Sequence, residues 1–230
     1  MGILNVTPDS FSDGGKYADT ESAVKAALAM VQQGADFLDI GGESTRPGSE
    51  PVSVEEQIRR VVPVIEKLAR EVDIPLSVDT SKAEVAEAAL SAGADIVNDI
   101  TAGTADPRMF SLVAGQDASM VLMHMKGTPK TMQSLAEYTN VVEEVNAVLW
   151  QQTEIARRAG VKQIFIDPGI GFAKRLEHNI ALIRGIGRFH NLGCPILIGL
   201  SRKSFLGELL NLPVTERLEG TAAAVAASVL

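Results

Sequence analysis

Seven short apolar runs, at residues 2–5, 37–41, 76–79, 96–99, 120–124, 164–167 and 196–199, recur along the chain and are separated by longer stretches of helical periodicity. Runs of this length without polar and apolar alternation belong to strands buried on both faces, and helical crossovers between them make such strands parallel. The clearest helical stretch spans residues 54–70, where Val54, Ile58, Val61, Val62, Ile65 and Leu68 fall at three- and four-residue steps. Ser53 with Glu56 forms a capping box at its start, and Ser81 with Glu84 repeats that pattern before the next helix. Gly34, Gly93 and Gly160 each stand between a helical stretch and the following run, where a left-handed cap is expected.

Polar residues close most of the runs: Asn5, Asp79, Asn98 with Asp99, His124, Asp167, and Ser201 just past the seventh. On parallel strands they share one rim. Units of this kind fit an eight-stranded βα barrel, whose site lies at the C-terminal ends of its strands. A doubly wound open sheet carries the same local signals and stays open at this level. No Pro/Ser-rich, charged or low-complexity stretch marks a linker, so residues 1–230 read as one domain. With 46% hydrophobic residues a large core is available, and a net charge of -8 disfavours nucleic acid or an anionic membrane surface as partner. No apolar run reaches membrane length. Cys194 is the only cysteine, which excludes an intrachain disulfide and fits a reducing, cytoplasmic compartment.

Two loops are rich in hydroxyls and turn residues: Asn5-Val6-Thr7-Pro8-Asp9-Ser10-Phe11-Ser12-Asp13-Gly14-Gly15, and Asp39-Ile40-Gly41-Gly42-Glu43-Ser44-Thr45-Arg46-Pro47-Gly48. Either can be a simple connector. The second also reads as a phosphate clamp, because Gly41 and Gly42 open the backbone while Ser44, Thr45 and Arg46 offer donors to an anion. Walker A spacing is absent, and Gly169-Ile170-Gly171 does not complete a dinucleotide fingerprint.

As full strings, these loops resemble the two sequence signatures of dihydropteroate synthases. The likeness continues through Ser77-Val78-Asp79-Thr80-Ser81-Lys82, Asn98-Asp99-Ile100, Leu122-Met123-His124-Met125, Asp167-Pro168-Gly169-Ile170-Gly171-Phe172 and Ser201-Arg202-Lys203-Ser204, in the family's order. The resemblance implies a (β/α)8 TIM barrel and a transferase of folate biosynthesis, a sulfonamide target. That enzyme joins 6-hydroxymethyl-7,8-dihydropterin pyrophosphate to p-aminobenzoate with Mg2+, releasing pyrophosphate and 7,8-dihydropteroate. It also implies pterin contacts at Asp79, Asn98, Met123, Asp167, Gly199 and Lys203, with Asp79, Asp167 and Lys203 carrying the chemistry. Asn5, Thr45 and Arg46 would meet pyrophosphate, Asn5 meeting the metal as well. Phe11, Pro47, Phe172 and Ser204 would receive p-aminobenzoate, and a homodimer is implied.

The residue chemistry agrees with that reaction. A pterin edge of ring nitrogens, amino group and carbonyl needs acceptors and a cation, which Asp79, Asn98, Asp167 and Lys203 supply. Departure of pyrophosphate leaves a ring-delocalised carbocation that fixed carboxylates stabilise. Taken singly, each rim residue also reads as a helix cap, Asn5 as a turn former and Phe172 as core. His178 and His190 read as solvated or capping, His124 as an edge of the pterin pocket, and Cys194 as inert on the opposite rim.

The family's eighth strand, with its Arg and His, its last helix and its segment before the first strand have no counterpart here. Residues 221–230 form an alanine-rich helix whose apolar surface expects a partner. The chain is therefore expected to be an incomplete barrel of about seven units, truncated at both ends, that folds poorly and turns over little. Two other readings stay open. A methyltetrahydrofolate-dependent corrinoid methyltransferase uses a similar barrel but fits the Phe11 loop and Ser201-Arg202-Lys203-Ser204 less well. An inactive pterin-binding module would bind pterin without needing Mg2+ or ordering p-aminobenzoate.

Overall fold

Strands that are apolar on both faces can be buried only between other layers, and helices returning over each crossover provide the outer one. The computed structural model describes residues 1–6, 15–46 and 48–229. Its strands are β1 (Gly2–Asn5), β2 (Leu38–Gly41), β3 (Leu76–Asp79), β4 (Ile96–Asp99), β5 (Ser119–Met123) and β6 (Gln163–Asp167). They pair in chain order, every pair parallel. The helices are α1 (Gly15–Gln32), α2 (Val54–Glu71), α3 (Ala83–Ser91), α4 (Met109–Gly115), α5 (Val141–Arg158), α6 (Leu176–Arg184), α7 (Ser204–Leu210) and α8 (Leu218–Val229). A strictly sequential strand order is the barrel's progression; an open doubly wound sheet reverses direction at a switch point, and none occurs among the described residues.

The seventh expected strand is not one. Ile166 bonds Pro195 and Leu197 through its amide and carbonyl, at 3.0 and 2.8 Å, and pairing stops after that single bridge. The next residue on that edge of β6 is Pro168, which has no amide hydrogen to continue a ladder. The chain instead turns, with the Lys203 amide donating to the Leu200 carbonyl at 3.4 Å.

Val61, Val64, Ile65 and Leu68 of α2 are fully buried and join Leu38, Ile40, Val78, Met120, Leu122 and Ile166 of the sheet in one apolar cluster. The Ser53 cap forms, its hydroxyl accepting from the Glu56 amide at 3.3 Å. The expected Ser81 cap does not form. Lys82 stands at the cap of α3, and the Ala83 amide is satisfied at 3.1 Å by the Asp106 carboxylate from the loop before α4. A carboxylate, held in turn by Arg108, outcompetes a hydroxyl for that donor. Gly93 adopts φ 110°, with Gly34 and Gly160 close to it, as left-handed helix ends require. Among the described residues no helix is long and apolar enough to cross a membrane.

Candidate active site

Asn5, Gly41, Asp79 and Asn98 occupy one register row across β1 to β4. Gly41 contributes no side chain to that row. The Asn5 Oδ1 and an Asp79 carboxylate oxygen each lie 3.6 Å from the place its Cβ would take, so the two oxygens flank one gap. Beneath them Asp39, 3% exposed, accepts from the Ser77 hydroxyl at 2.6 Å and from the Asn98 amide nitrogen at 2.9 Å. Burial pushes the Asp39 carboxyl upward against those two bonds. Asp79 is pushed well above the ordinary carboxylate range, first by burial and then by the charges of Asp39, Asp99 and Glu43. A floor of crowded carboxylates favours a ligand that brings protons or develops positive charge. Asp99 is already committed, accepting from the Thr101 amide and hydroxyl and from the Gly103 amide at 2.7 to 2.9 Å.

The other half of the rim is built around β6. Asp167 pairs in register with Met123, and its carboxylate accepts from the Gly169 amide at 2.7 Å. The Lys203 Nζ donates to the Ile170 carbonyl, lies 4.8 Å from the Phe172 ring centroid, and is 3.6 Å from where a Gly199 Cβ would be. Burial pushes Asp167 up and Lys203 down, and their mutual attraction only partly offsets it. Both therefore gain from a ligand that supplies matching hydrogen bonds.

Four consecutive carbonyls of the β6 loop are each taken by a different side chain. Ile170 receives Lys203, Gly171 receives Gln133 at 3.3 Å, Phe172 receives Lys174 at 2.9 Å, and Ala173 receives the Tyr138 hydroxyl at 3.0 Å. The Gly171 amide donates to Asn179 at 2.8 Å. At Gly169, φ is 70° and an added Cβ would stand 2.0 Å from the His124 carbonyl oxygen. Gly169→Ala should therefore lower stability by about 2–3 kcal/mol, read as a shift in the urea midpoint at constant m-value.

Thr45 is half-buried and Arg46 exposed on the loop after β2. That loop is tied to the one after β5 by Gly48 donating to the Pro129 carbonyl at 3.1 Å and by a Lys130–Glu50 pair at 2.7 Å. Between them opens a cavity of about 310 Å³ whose walls include Thr45, Asp79, Lys82, Thr101, Met125 and Lys130. Asn98, Asp167 and Lys203 are not among its walls. The structure thus gathers Asn5, Asp79 and Asn98 on one half of the rim and Asp167, Phe172, Gly199 and Lys203 on the other, with buried Met123 beside Asp167. Ser204 is exposed at the first position of α7. Phe11 and Pro47 lie outside the described residues.

His124 is buried, its Nδ1 3.0 Å from the Lys174 Nζ and its carbonyl oxygen 2.0 Å from where a Gly169 Cβ would stand. His178 accepts from the Arg175 amide at 3.2 Å, a capping role. Cys194 is buried near Arg157, at the entry to residues 196–199. Sequence reasoning missed Asp39, whose sign was a charge inside an apolar run, and Lys174, Gln133, Tyr138 and Asn179, whose roles depend on partners remote in sequence. Among the described residues no cluster of His, Cys, Asp and Glu is arranged to hold a metal by itself.

A profile described as pterin binding enzyme matches residues 1–230, the class that this barrel and rim define. The dihydropteroate synthase of Synechocystis sp. is 50% identical over 226 residues, covering 97% of this chain and 78% of that relative. The Xanthomonas albilineans dihydropteroate synthase with 4-aminobenzoic acid superposes with a TM-score of 0.92 at 45% identity, covering 99% of this chain and 82% of that one. The same enzyme in complex with 7,8-dihydropteroate gives a TM-score of 0.87 at 42% identity, with 99% and 82% covered. The chain belongs to the pterin binding enzymes and, among them, to the dihydropteroate synthases.

Proposed function

We propose that this rim joins 6-hydroxymethyl-7,8-dihydropterin pyrophosphate to p-aminobenzoate, releasing pyrophosphate and 7,8-dihydropteroate. The observation that carries this reading is Asp79, a carboxylate crowded by like charges beside Asn5 and facing the gap left by Gly41. In the proposed mechanism the Asp167 carboxylate and the Asn98 amide oxygen accept from the pterin edge, Met123 and Gly199 border the ring, and Lys203 donates to its carbonyl. The bond between the methylene carbon and pyrophosphate breaks with its electrons leaving on phosphate. The resulting cation relieves the repulsion around Asp79, an interaction stronger in the transition state than in the neutral ground state. The aniline lone pair then forms the carbon–nitrogen bond, and the resulting ammonium releases one of its two protons to water. Because that lone pair is free at neutral pH, positioning does most of the nucleophile's work.

Phe172 is the proposed wall for the arene, with Phe11 and Pro47 completing it and Ser204 donating to the carboxylate. Thr45 and Arg46 would grip the pyrophosphate. The donor set suits Mg2+, which keeps phosphate oxygens and waters and borrows few protein ligands: Asn5 offers one hard oxygen, and the described residues hold no competing metal cluster. When bound, the ion neutralises charge on the leaving group. A cytoplasmic homodimer belongs to the same proposal; the single, buried Cys194 agrees with a reducing compartment.

The test is to follow 7,8-dihydropteroate and pyrophosphate formed by the purified chain. Equimolar release is expected, and turnover should fall at least tenfold, by order of magnitude, on chelation and return with Mg2+. A folded protein that makes neither product rejects the reading.

A further inference from the structure

Lys174 is 4% exposed, and no ion pair involves it among the described residues. A buried lysine that forms no ion pair is costly, and the charge of Asp167 only partly offsets its burial. Its surroundings are built for an ammonium. The Nζ has three acceptors for three protons: the Phe172 carbonyl at 2.9 Å, the His124 Nδ1 at 3.0 Å and the His124 carbonyl at 3.3 Å. His124 keeps a lone pair for this bond because burial, followed by the Lys174 charge, holds its pKa down to about 3. Lys174 therefore ties the loop after β6 to the end of β5 at the residue whose ring carries the Lys203 ammonium on its face.

We infer that Lys174 is a positioning residue for p-aminobenzoate: from beneath the β6 loop its ammonium fixes Phe172 in the orientation that receives the arene, without touching either substrate. This rests on the proposed role of Phe172 as the arene wall. Asp167 keeps the charge of Lys203 and the Gly169 amide when the smaller pull of Lys174 is lost, so loss of the Lys174 bonds falls on the arene side more than on the pterin side. Burial also brings the Lys174 pKa down to about 7 against the pull of Asp167. The titratable groups facing it are His124 and Lys126 from the end of β5, Tyr138 from the loop that follows, Asp167, His178 of α6 and Lys203. Burial also lowers Lys203 and raises Asp167, so the comparison with Lys174→Met separates the Lys174 contribution from theirs. As the pH rises through that value the amine keeps two protons for three acceptors, and its hold on the loop weakens.

The test uses the full chain, at saturating pterin pyrophosphate, with Lys174→Met as a neutral side chain of similar length. Its KM for p-aminobenzoate is expected to rise about tenfold, the effect of losing a charge-assisted bond that orders a binding loop. Its kcat should stay within about threefold, and its affinity for pterin pyrophosphate by calorimetry within about twofold. The wild-type KM for p-aminobenzoate should climb above pH 7 and the variant's should not. Lys174→Arg, which keeps donors, should recover part of the loss. An unchanged KM in Lys174→Met, or KM and pterin affinity failing together, overturns the inference. If the methionine variant does not fold, the wild-type profile decides, and a flat KM between about pH 6 and 9 overturns it. A wild-type chain that makes no dihydropteroate overturns the proposed function along with this role; an active wild type with an unaltered variant KM removes only the role of Lys174.

Discussion

The Asp79→Asn variant is expected to unfold at a higher temperature than the wild type while turning over about 10²–10³-fold more slowly. The two effects have one origin. Burial and the neighbouring Asp39, Asp99 and Glu43 raise the Asp79 carboxyl above its ordinary value of 3.8, so its charged form is worse accommodated in the folded chain than in the unfolded one. The sign follows: below the ordinary value both states are protonated and asparagine changes little. As the pH rises through it, the wild type loses stability that asparagine retains, and the gap persists at neutrality. Each kcal/mol of relieved repulsion is worth roughly 2–4 °C in a domain of this size. The same amide carries no charge to offset a cation in the transition state, so kcat falls while KM for the neutral pterin ring stays nearly constant. Calorimetric melts at pH 4 and pH 7 with steady-state kinetics check both halves. A lower melting temperature at neutral pH, or a kcat within tenfold of wild type, contradicts the account.

Asp167→Ala should weaken pterin binding by about 10²-fold or more. Two charge-assisted hydrogen bonds to a pterin edge contribute roughly 1.5–3 kcal/mol each, and removing the acceptor also strands the Gly169 amide and leaves the Lys203 ammonium without its opposite charge. Asp167→Asn separates the contributions. Its oxygen can still accept from Gly169, but its amino group meets donors on the pterin, so loop order returns while affinity does not. Titration calorimetry with pterin pyrophosphate measures both variants, and an alanine variant within threefold of wild type would show that the pterin edge is held elsewhere.

Six strands were legible because parallel-sheet burial leaves a local mark, an unbroken apolar run closed by a polar residue. The seventh run, residues 196–199, carries the same mark but lacks a neighbour able to pair, since Pro168 ends the donors on that edge of β6. Local pattern records what a segment can do, and the partner decides whether it does so. Ser81 and Glu84 illustrate the same limit, their capping box giving way to Asp106 from a loop remote in sequence. On the rim, Asp79, Asp167 and Lys203 were readable by chemical type and by resemblance. Asp39 and Lys174 were hidden for opposite reasons: one is a charge inside a strand that read as wholly apolar, the other a residue type ordinarily found on the surface.

The four occupied carbonyls from Ile170 to Ala173 have a consequence for molecular mimicry. A shelf whose shape is settled during folding does not reshape itself around its guest, so it meets any planar ring of the right thickness on equal terms. Telling the natural amine from a look-alike must then depend on atoms that project beyond the ring both compounds share.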